Sequence, residues 1–280
     1  MDDALLDLAA PPTLPSLTER AAVAELVYAG AGVGRSTDAT EPRSDGATGT
    51  GLLWLSHVQG EVPLGTRSWH AGVAWDVASA AAPGKERALL YGNPELWVRG
   101  IGFNDTGLAG GGSLGFVVPL PRADADAELD DLVRVVRPWD TGYFSDTILT
   151  FRPAFDARAV LPPVVLQMRQ GLDISYGFDT ERADFVARIA AYVGWEPITR
   201  VTLGLELWQI YSITAEVEDD QRAAITLSPS IRLRTRPLEP GLSFLFPLST
   251  PLEGIATAFF AARVHVRLAL GDTADVTYAP

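Results

Sequence analysis

Residues Gln167 to Phe178 alternate apolar and polar side chains with one exception, Gln170, and a chain that repeats such segments has few folds open to it. Met168, Leu172, Ile174, Tyr176 and Phe178 share one face with Gln170. Gln167, Arg169, Gly171, Asp173, Ser175 and Gly177 share the other. Successive side chains of a strand point to opposite sides, so the segment predicts a strand with one oily and one wet side. The pattern recurs in Phe185, Ala187, Ile189, Ala191, Val193 and Trp195 against Arg188, Gly194 and Glu196. It recurs again in Val201, Leu203, Leu205, Leu207 and Tyr211 against Arg200, Thr202, Gly204, Glu206 and Ser212. These runs exceed the about 5–6 residues of a globular strand and match the roughly 9–11 that cross a bilayer at a tilt, plus protruding ends.

No window approaches 18 uninterrupted apolar residues, so a transmembrane helix is excluded and the 47% hydrophobic content must be spread over one-faced strands. Cysteine is absent, which removes disulfides and thiolate metal sites. A net charge of −13 argues against nucleic acid as a partner. The basic residues are 21 arginines and one lysine, Lys85, and many arginines fall on the wet strand faces. Acids crowd the connections instead, as in Asp124, Asp126, Glu128, Asp130 and Asp131, or Glu216, Glu218, Asp219 and Asp220. The acidic balance therefore belongs to the loops, and arginines on the wet face suit a lumen better than a packed core.

Alternation, with breaks at Gly, Pro, Asn and Asp clusters, predicts twelve strands near 21–35, 48–59, 67–79, 94–104, 108–120, 145–160, 163–179, 183–196, 199–214, 222–235, 239–249 and 253–270. The expected fold class is all-β: a closed antiparallel transmembrane β-barrel of about twelve strands with both termini periplasmic. Residues 1–20 are expected to be a Pro-rich periplasmic lead-in, 21–270 the barrel and 271–280 a tail. An outer-membrane barrel alternates short periplasmic turns with longer external loops. Here 36–47, 80–93 and 121–144 are long, whereas 104–107, 161–162 and 197–198 are short. Tyr176, Phe178, Phe185 and Tyr211 would gather at the external interface, with Trp195 about 25 Å lower on its strand, the spacing of two aromatic girdles. Residues 127–136 could form a short loop helix. The start Met1-Asp2-Asp3 lacks a signal peptide, so a mature form is expected.

The chain resembles bacterial outer-membrane β-barrels of the porin and small-solute transporter kind. The stretch Gly92-Asn93-Pro94-Glu95-Leu96, with Leu114-Gly115-Phe116-Val117-Val118-Pro119-Leu120-Pro121, is similar to hairpins of the phenol-degradation (MetA-like) barrel group. The resemblance implies passive transport in the outer membrane. It also implies contact with lipid and lipopolysaccharide, small solutes as cargo, protein partners if the barrel serves an envelope complex, and no cofactor.

If the register holds, the lumen receives Arg152, Asp156, Arg158, Arg169, Asp173, Arg188, Glu196, Arg200, Glu206, Arg222, Arg232, Arg234, Arg263, His265 and Arg267. Arg152, Arg158, Arg169, Asp173, Arg188, Glu206, Arg232, Arg234, Arg263 and Arg267 are the candidate lumen-lining residues. Two readings stand open. A low-dielectric wall focuses the field of fixed charges, so a cationic constriction would attract anionic solutes. Alternatively arginines and carboxylates pair across the barrel and plug it, leaving a structural barrel that anchors an envelope or surface assembly. A soluble sugar-binding sandwich is a third option, opposed by the continuous oily faces. Catalysis is not expected: Ser68 lies two residues before His70, but nothing supplies an acid and oxyanion donors. The run from Asp124 to Asp130 lacks the glycine of a calcium loop, since Leu129 stands there. Gly110-Gly111-Gly112 lacks the lysine and helix start of a phosphate cradle.

Overall fold

A computed structural model describes residues 14, 17, 19–33, 49–81, 87–103, 107–121, 138–198, 200–214, 222–235, 237–249 and 258–272. The strands are β1 (Glu19–Val33), β2 (Gly49–Leu64), β3 (Thr66–Ala81), β4 (Ala88–Tyr91), β5 (Glu95–Phe103), β6 (Leu108–Val117) and β7 (Ile148–Leu161). They continue as β8 (Val164–Gly177), β9 (Arg182–Ile198), β10 (Val201–Ser212), β11 (Ala223–Leu233), β12 (Leu238–Pro247) and β13 (Ala258–Asp272). Every pairing is antiparallel between neighbours, and β1 pairs with both β2 and β13, so the sheet closes on itself. β4 and β5 both pair with β3, on its upper and lower parts. They are one strand interrupted at Gly92-Asn93-Pro94, which makes the barrel twelve-stranded.

Closure leaves no edge with unpaired backbone groups, a requirement for any sheet in hydrocarbon. At the interruption the freed carbonyl of Gly92 accepts a bond from the outward Trp75 Nε1 at 2.7 Å, so even this gap presents little bare backbone to the outside. The described outer wall is mostly apolar, with Trp69, Phe155, Phe178, Val62 and Ile198 each more than half exposed and Ser56, Gln170 and Gln209 as polar exceptions. Aromatic pairs gather in the half of the wall away from the termini: Tyr28–Trp54, Trp75–Tyr91, Phe116–Phe151 and Tyr176–Phe178. Trp195 is exposed near the opposite end of β9. That asymmetry is a girdle of amphipathic rings at an interface.

Turns at the end that carries the termini are short. Gly65 and Gly107 adopt positive φ there (67° and 81°), a conformation that side chains rarely tolerate. Inside the barrel, glycines make room for rings. A side chain on Gly204 would strike Tyr192, one on Gly72 would strike Trp97, and one on Gly241 would enter the imidazole of His265. Much of the Pro-rich lead-in, the 36–47 connection, the acidic run 124–131, the proposed loop helix 127–136, the 215–221 connection and residues 273–280 lie outside the described residues. Of the lead-in, Leu14 and Leu17 are buried, and Leu17 packs on Gly111.

Candidate functional site in the charged interior

Inward positions on β7 to β9 build a network around Arg152. Its Nη1 donates to Glu95 Oε2 at 3.1 Å and to Asp140 Oδ1 at 3.2 Å. Its Nη2 donates to Asp173 Oδ2 at 3.1 Å and to the Trp139 carbonyl at 3.4 Å. Arg188 Nε lies 2.7 Å from Asp173 Oδ1, and its Nη1 donates to the same Trp139 carbonyl at 3.4 Å. The phenol of Tyr143 donates to Glu95, and its ring lies 4.9 Å below the Arg152 guanidinium. Burial first, then the Glu95 and Asp140 carboxylates, raise the Tyr143 pKa well above that of a free phenol, so it serves as a neutral donor. Behind it His57 stacks on Tyr143, with Nδ1 2.9 Å from Asp76 Oδ1.

Asp140 and Tyr143 belong to no wall strand. They sit on a 3-10 segment, Pro138–Phe144, of the connection between β6 and β7, and this segment folds into the barrel. Trp139, Asp140, Tyr143 and Phe144 are buried, and Trp139 stacks on the inward Trp208 at 5.2 Å between centroids. Asn93, at the strand interruption, holds both limbs of that connection. Its backbone N–H bonds the Tyr143 carbonyl, its Nδ2 donates to the Ser145 carbonyl, and its Oδ1 accepts from Leu120 N at 2.8 Å. A side-chain hydrogen bond contributes about 1 kcal/mol net, so Asn93→Ala should cost roughly 2 kcal/mol, concentrated on this segment. Hydrogen exchange should show Tyr143–Ser145 amides exchanging faster while β8 to β10 amides keep their protection.

A second network occupies β10 to β13. Arg263 Nη2 lies 3.6 Å from Glu206 Oε2, its Nε donates to Ser243 Oγ at 2.7 Å, and its Nη2 donates to Ser228 Oγ at 3.4 Å. Glu239 stands between Arg232 (3.5 Å) and Arg267 (3.9 Å). Arg234 meets Glu196 at 2.9 Å near the terminal mouth. Arg158, Gln167, Tyr192 and Glu206 face one another in register across β7, β8, β9 and β10. Below the first network, Arg169 lies 3.5 Å from Asp156 and donates to Ser113 Oγ at 3.1 Å, while Arg99 pairs with Glu61.

Among the candidate lumen residues, Arg152, Arg158, Asp173, Arg188, Glu206, Arg232, Arg263 and Arg267 are buried, and Arg169 and Arg234 are partly so. Arg200 and Arg222 are corrected: neither belongs to a strand, Arg200 being exposed in the β9–β10 turn with φ 76° and Arg222 preceding β11. Their positions continue the alternation on paper, but the chain turns before reaching them. Sequence reasoning missed the carboxylates Glu25, Glu61, Asp76, Glu95, Asp140 and Glu239, all inside the barrel or at its inner surface. With Asp156, Asp173, Glu196 and Glu206 they match the inward arginines, so the described interior holds no large excess of positive charge. Asp140 had no strand pattern to reveal it. Glu95 did carry a signal, since it follows Asn93-Pro94 directly. Ser68 is exposed while His70 is buried. Among the described residues no three His, Asp or Glu side chains group as a metal would require.

The sequence matches no protein-family model and no curated protein. Solved structures do resemble it. The "COG4313 outer membrane channel from Pseudomonas putida F1" superposes with a TM-score of 0.57 at 10% identity, covering 93% of this chain and 99% of that one. The "NanC porin" gives 0.55 at 10% identity over 88% of this chain and all of the other. The fold is that of an outer-membrane β-barrel. The transport unit of the autotransporter AIDA-I from Escherichia coli gives 0.50 at 11% identity over 94% of each chain. Identity this low speaks to architecture, and the apolar outer wall and the aromatic belt agree with it.

Proposed function

We propose that this barrel is an outer-membrane channel for small solutes, with termini in the periplasm, closed at rest by the inward-folded 138–144 segment. The observation that carries this reading is how the segment is held. It is fastened to a charged wall through Arg152, Arg188 and Asn93, by hydrogen bonds and ion pairs that water can replace. Once the segment withdraws, the vacated space is lined by charge. The chemistry is then that of selection by fixed charge, without an enzymatic step.

Solute preference rests on the second network. Arg158, Arg232, Arg234, Arg263 and Arg267 face Glu25, Glu196, Glu206 and Glu239, a local surplus of one positive charge on a wall otherwise balanced. A low-dielectric surround magnifies such a surplus, which favours small anions. Reversal potential in a planar bilayer under a salt gradient tests this. Asn93→Ala, the loosened form, should prefer anions, and adding Arg234→Gln with Arg267→Gln should move the reversal potential toward cations. An unchanged reversal potential would remove the arginines from the pathway.

One observation favours a structural barrel instead: Arg263 and Glu206 are as buried as core residues, at 1% and 0% exposure. A barrel serving as an envelope anchor should retain a stoichiometric protein partner in mild detergent. A stand-alone channel should purify without one.

A further inference from the structure

Two side chains near one end of the barrel interior are buried with polar atoms that bond nothing among the described residues. They are His265, through both ring nitrogens, and Thr202, through Oγ1. Their exposures are 2% and 4%. A buried donor or acceptor left unpaired is costly, and a native fold rarely keeps one without a bonding partner.

The strand register puts both in one inward row. His265 on β13 stands opposite Gly241 on β12, Gly241 opposite Arg232 on β11, and Arg232 opposite Thr202 on β10. Gly241 puts no side chain between the ends of that row. A Cβ there would lie 2.1 Å from His265 Nε2, so the imidazole tip reaches over the glycine toward Arg232. Glu239, one inward position nearer the termini than Gly241, has its carboxylate 3.5 Å from the Arg232 guanidinium and 3.9 Å from that of Arg267. Thr202 is the second residue of β10 and Arg232 the last but one of β11. The row therefore sits near the terminal mouth, clear of the Trp139–Trp208 stack farther along β10.

We infer that this row is a binding site for an oxyanion that keeps an O–H group, namely hydrogen phosphate. The inference deepens the anion preference proposed above by naming the ion; it rests on the second network facing the lumen and not on conduction. The choice of ion follows from the mixture of groups. Arg232 and the Thr202 hydroxyl donate to bare oxygens, and a neutral imidazole adds one N–H. The Glu239 carboxylate and the other ring nitrogen only accept, so a ligand satisfies them with a proton of its own. Hydrogen phosphate carries bare oxygens and an O–H together. Sulfate carries acceptors alone and would set one of them against Glu239.

Equilibrium dialysis of the folded barrel in mild detergent against radiolabelled inorganic phosphate, at neutral pH and constant ionic strength, tests this. Wild type should retain one phosphate per barrel, with sulfate at least tenfold weaker as a competitor. Thr202→Val keeps the shape of the side chain, and His265→Phe keeps a ring over Gly241. Each should weaken phosphate binding at least tenfold while the folded, SDS-resistant band persists. Thr150→Val, which removes a buried hydroxyl on β7, should bind as wild type does. Glu239→Gln trades an acceptor for a group that can donate, and should narrow the gap between phosphate and sulfate. No phosphate retained at millimolar concentration, sulfate bound as well as phosphate, or Thr202→Val and His265→Phe binding like wild type would overturn the inference. The readout needs no current, so a barrel that conducts anions yet retains no phosphate overturns this site and leaves the channel standing.

Discussion

Arg152→Met should be the most damaging single change in the barrel interior. The guanidinium bonds Glu95, Asp140 and Asp173 at once, and its removal leaves three carboxylates close together with water largely excluded. Removing one partner of a buried ion pair costs about 3–5 kcal/mol, most of it from the uncompensated charge left behind. Methionine keeps the stem's packing, so the loss reports charge and hydrogen bonding. The measurement is the midpoint of urea unfolding from lipid vesicles, followed by tryptophan fluorescence. Because the penalty belongs to the orphaned acids, adding Asp140→Asn and Glu95→Gln should recover much of it, a coupling that independent sites would not show. Part of the effect should be local, since Asp140 and the Trp139 carbonyl tie the inward segment to this one side chain.

Gly241→Val should be nearly as severe for a steric reason. A Cβ at this position falls inside the His265 ring, which stands opposite Gly241 across the β12–β13 pair. The ring has little room to swing, because Arg263 and Arg267 flank it on its own strand and Glu25 faces it from β1. Overpacking of this kind costs about 3 kcal/mol or more when neighbours cannot yield. The expected result is loss of the compact, SDS-resistant band that a folded barrel shows on an unheated gel. His265→Ala in the same chain should restore it. Failure of that rescue would mean that Gly241 matters for its backbone and not for the space above it.

The parts of this molecule that could be read beforehand are those governed by a local rule. Alternation along Val164–Gly177 and Val201–Ser212 set which side chains turn inward, since adjacent residues of a strand must face opposite ways. The twelve strands expected lie close to where that rule put them, including β5 and β6, whose glycines blur the period, but β4 (Ala88–Tyr91) falls in what reads as the 80–93 connection. What could not be read depends on contacts between distant segments. The interruption at Gly92-Asn93-Pro94 looked like a simple boundary, yet Asn93 binds residues 27 and 52 positions away. The 138–144 segment looked like part of an external loop, because Trp139 and Tyr143 are isolated aromatics with no periodicity. Only the cavity of the closed barrel gives them a place to go. The balance of charge was misjudged only partly for the same reason: Asp140 comes from this irregular segment, whereas Glu25, Asp76, Glu95 and Glu239 stand at inward strand positions that the alternation itself marks.

The central claim is that residues 138–144 close a passage through the barrel. The most direct test is the planar-bilayer current through wild type and through a variant in which 138–144 are replaced by a glycine-serine linker of equal length, both first shown to migrate as folded barrels. The account predicts rare, brief openings for wild type and long-lived open channels, preferring anions, for the replacement. A folded, inserted replacement that conducts no more than wild type would contradict it and leave the interior as a structural network.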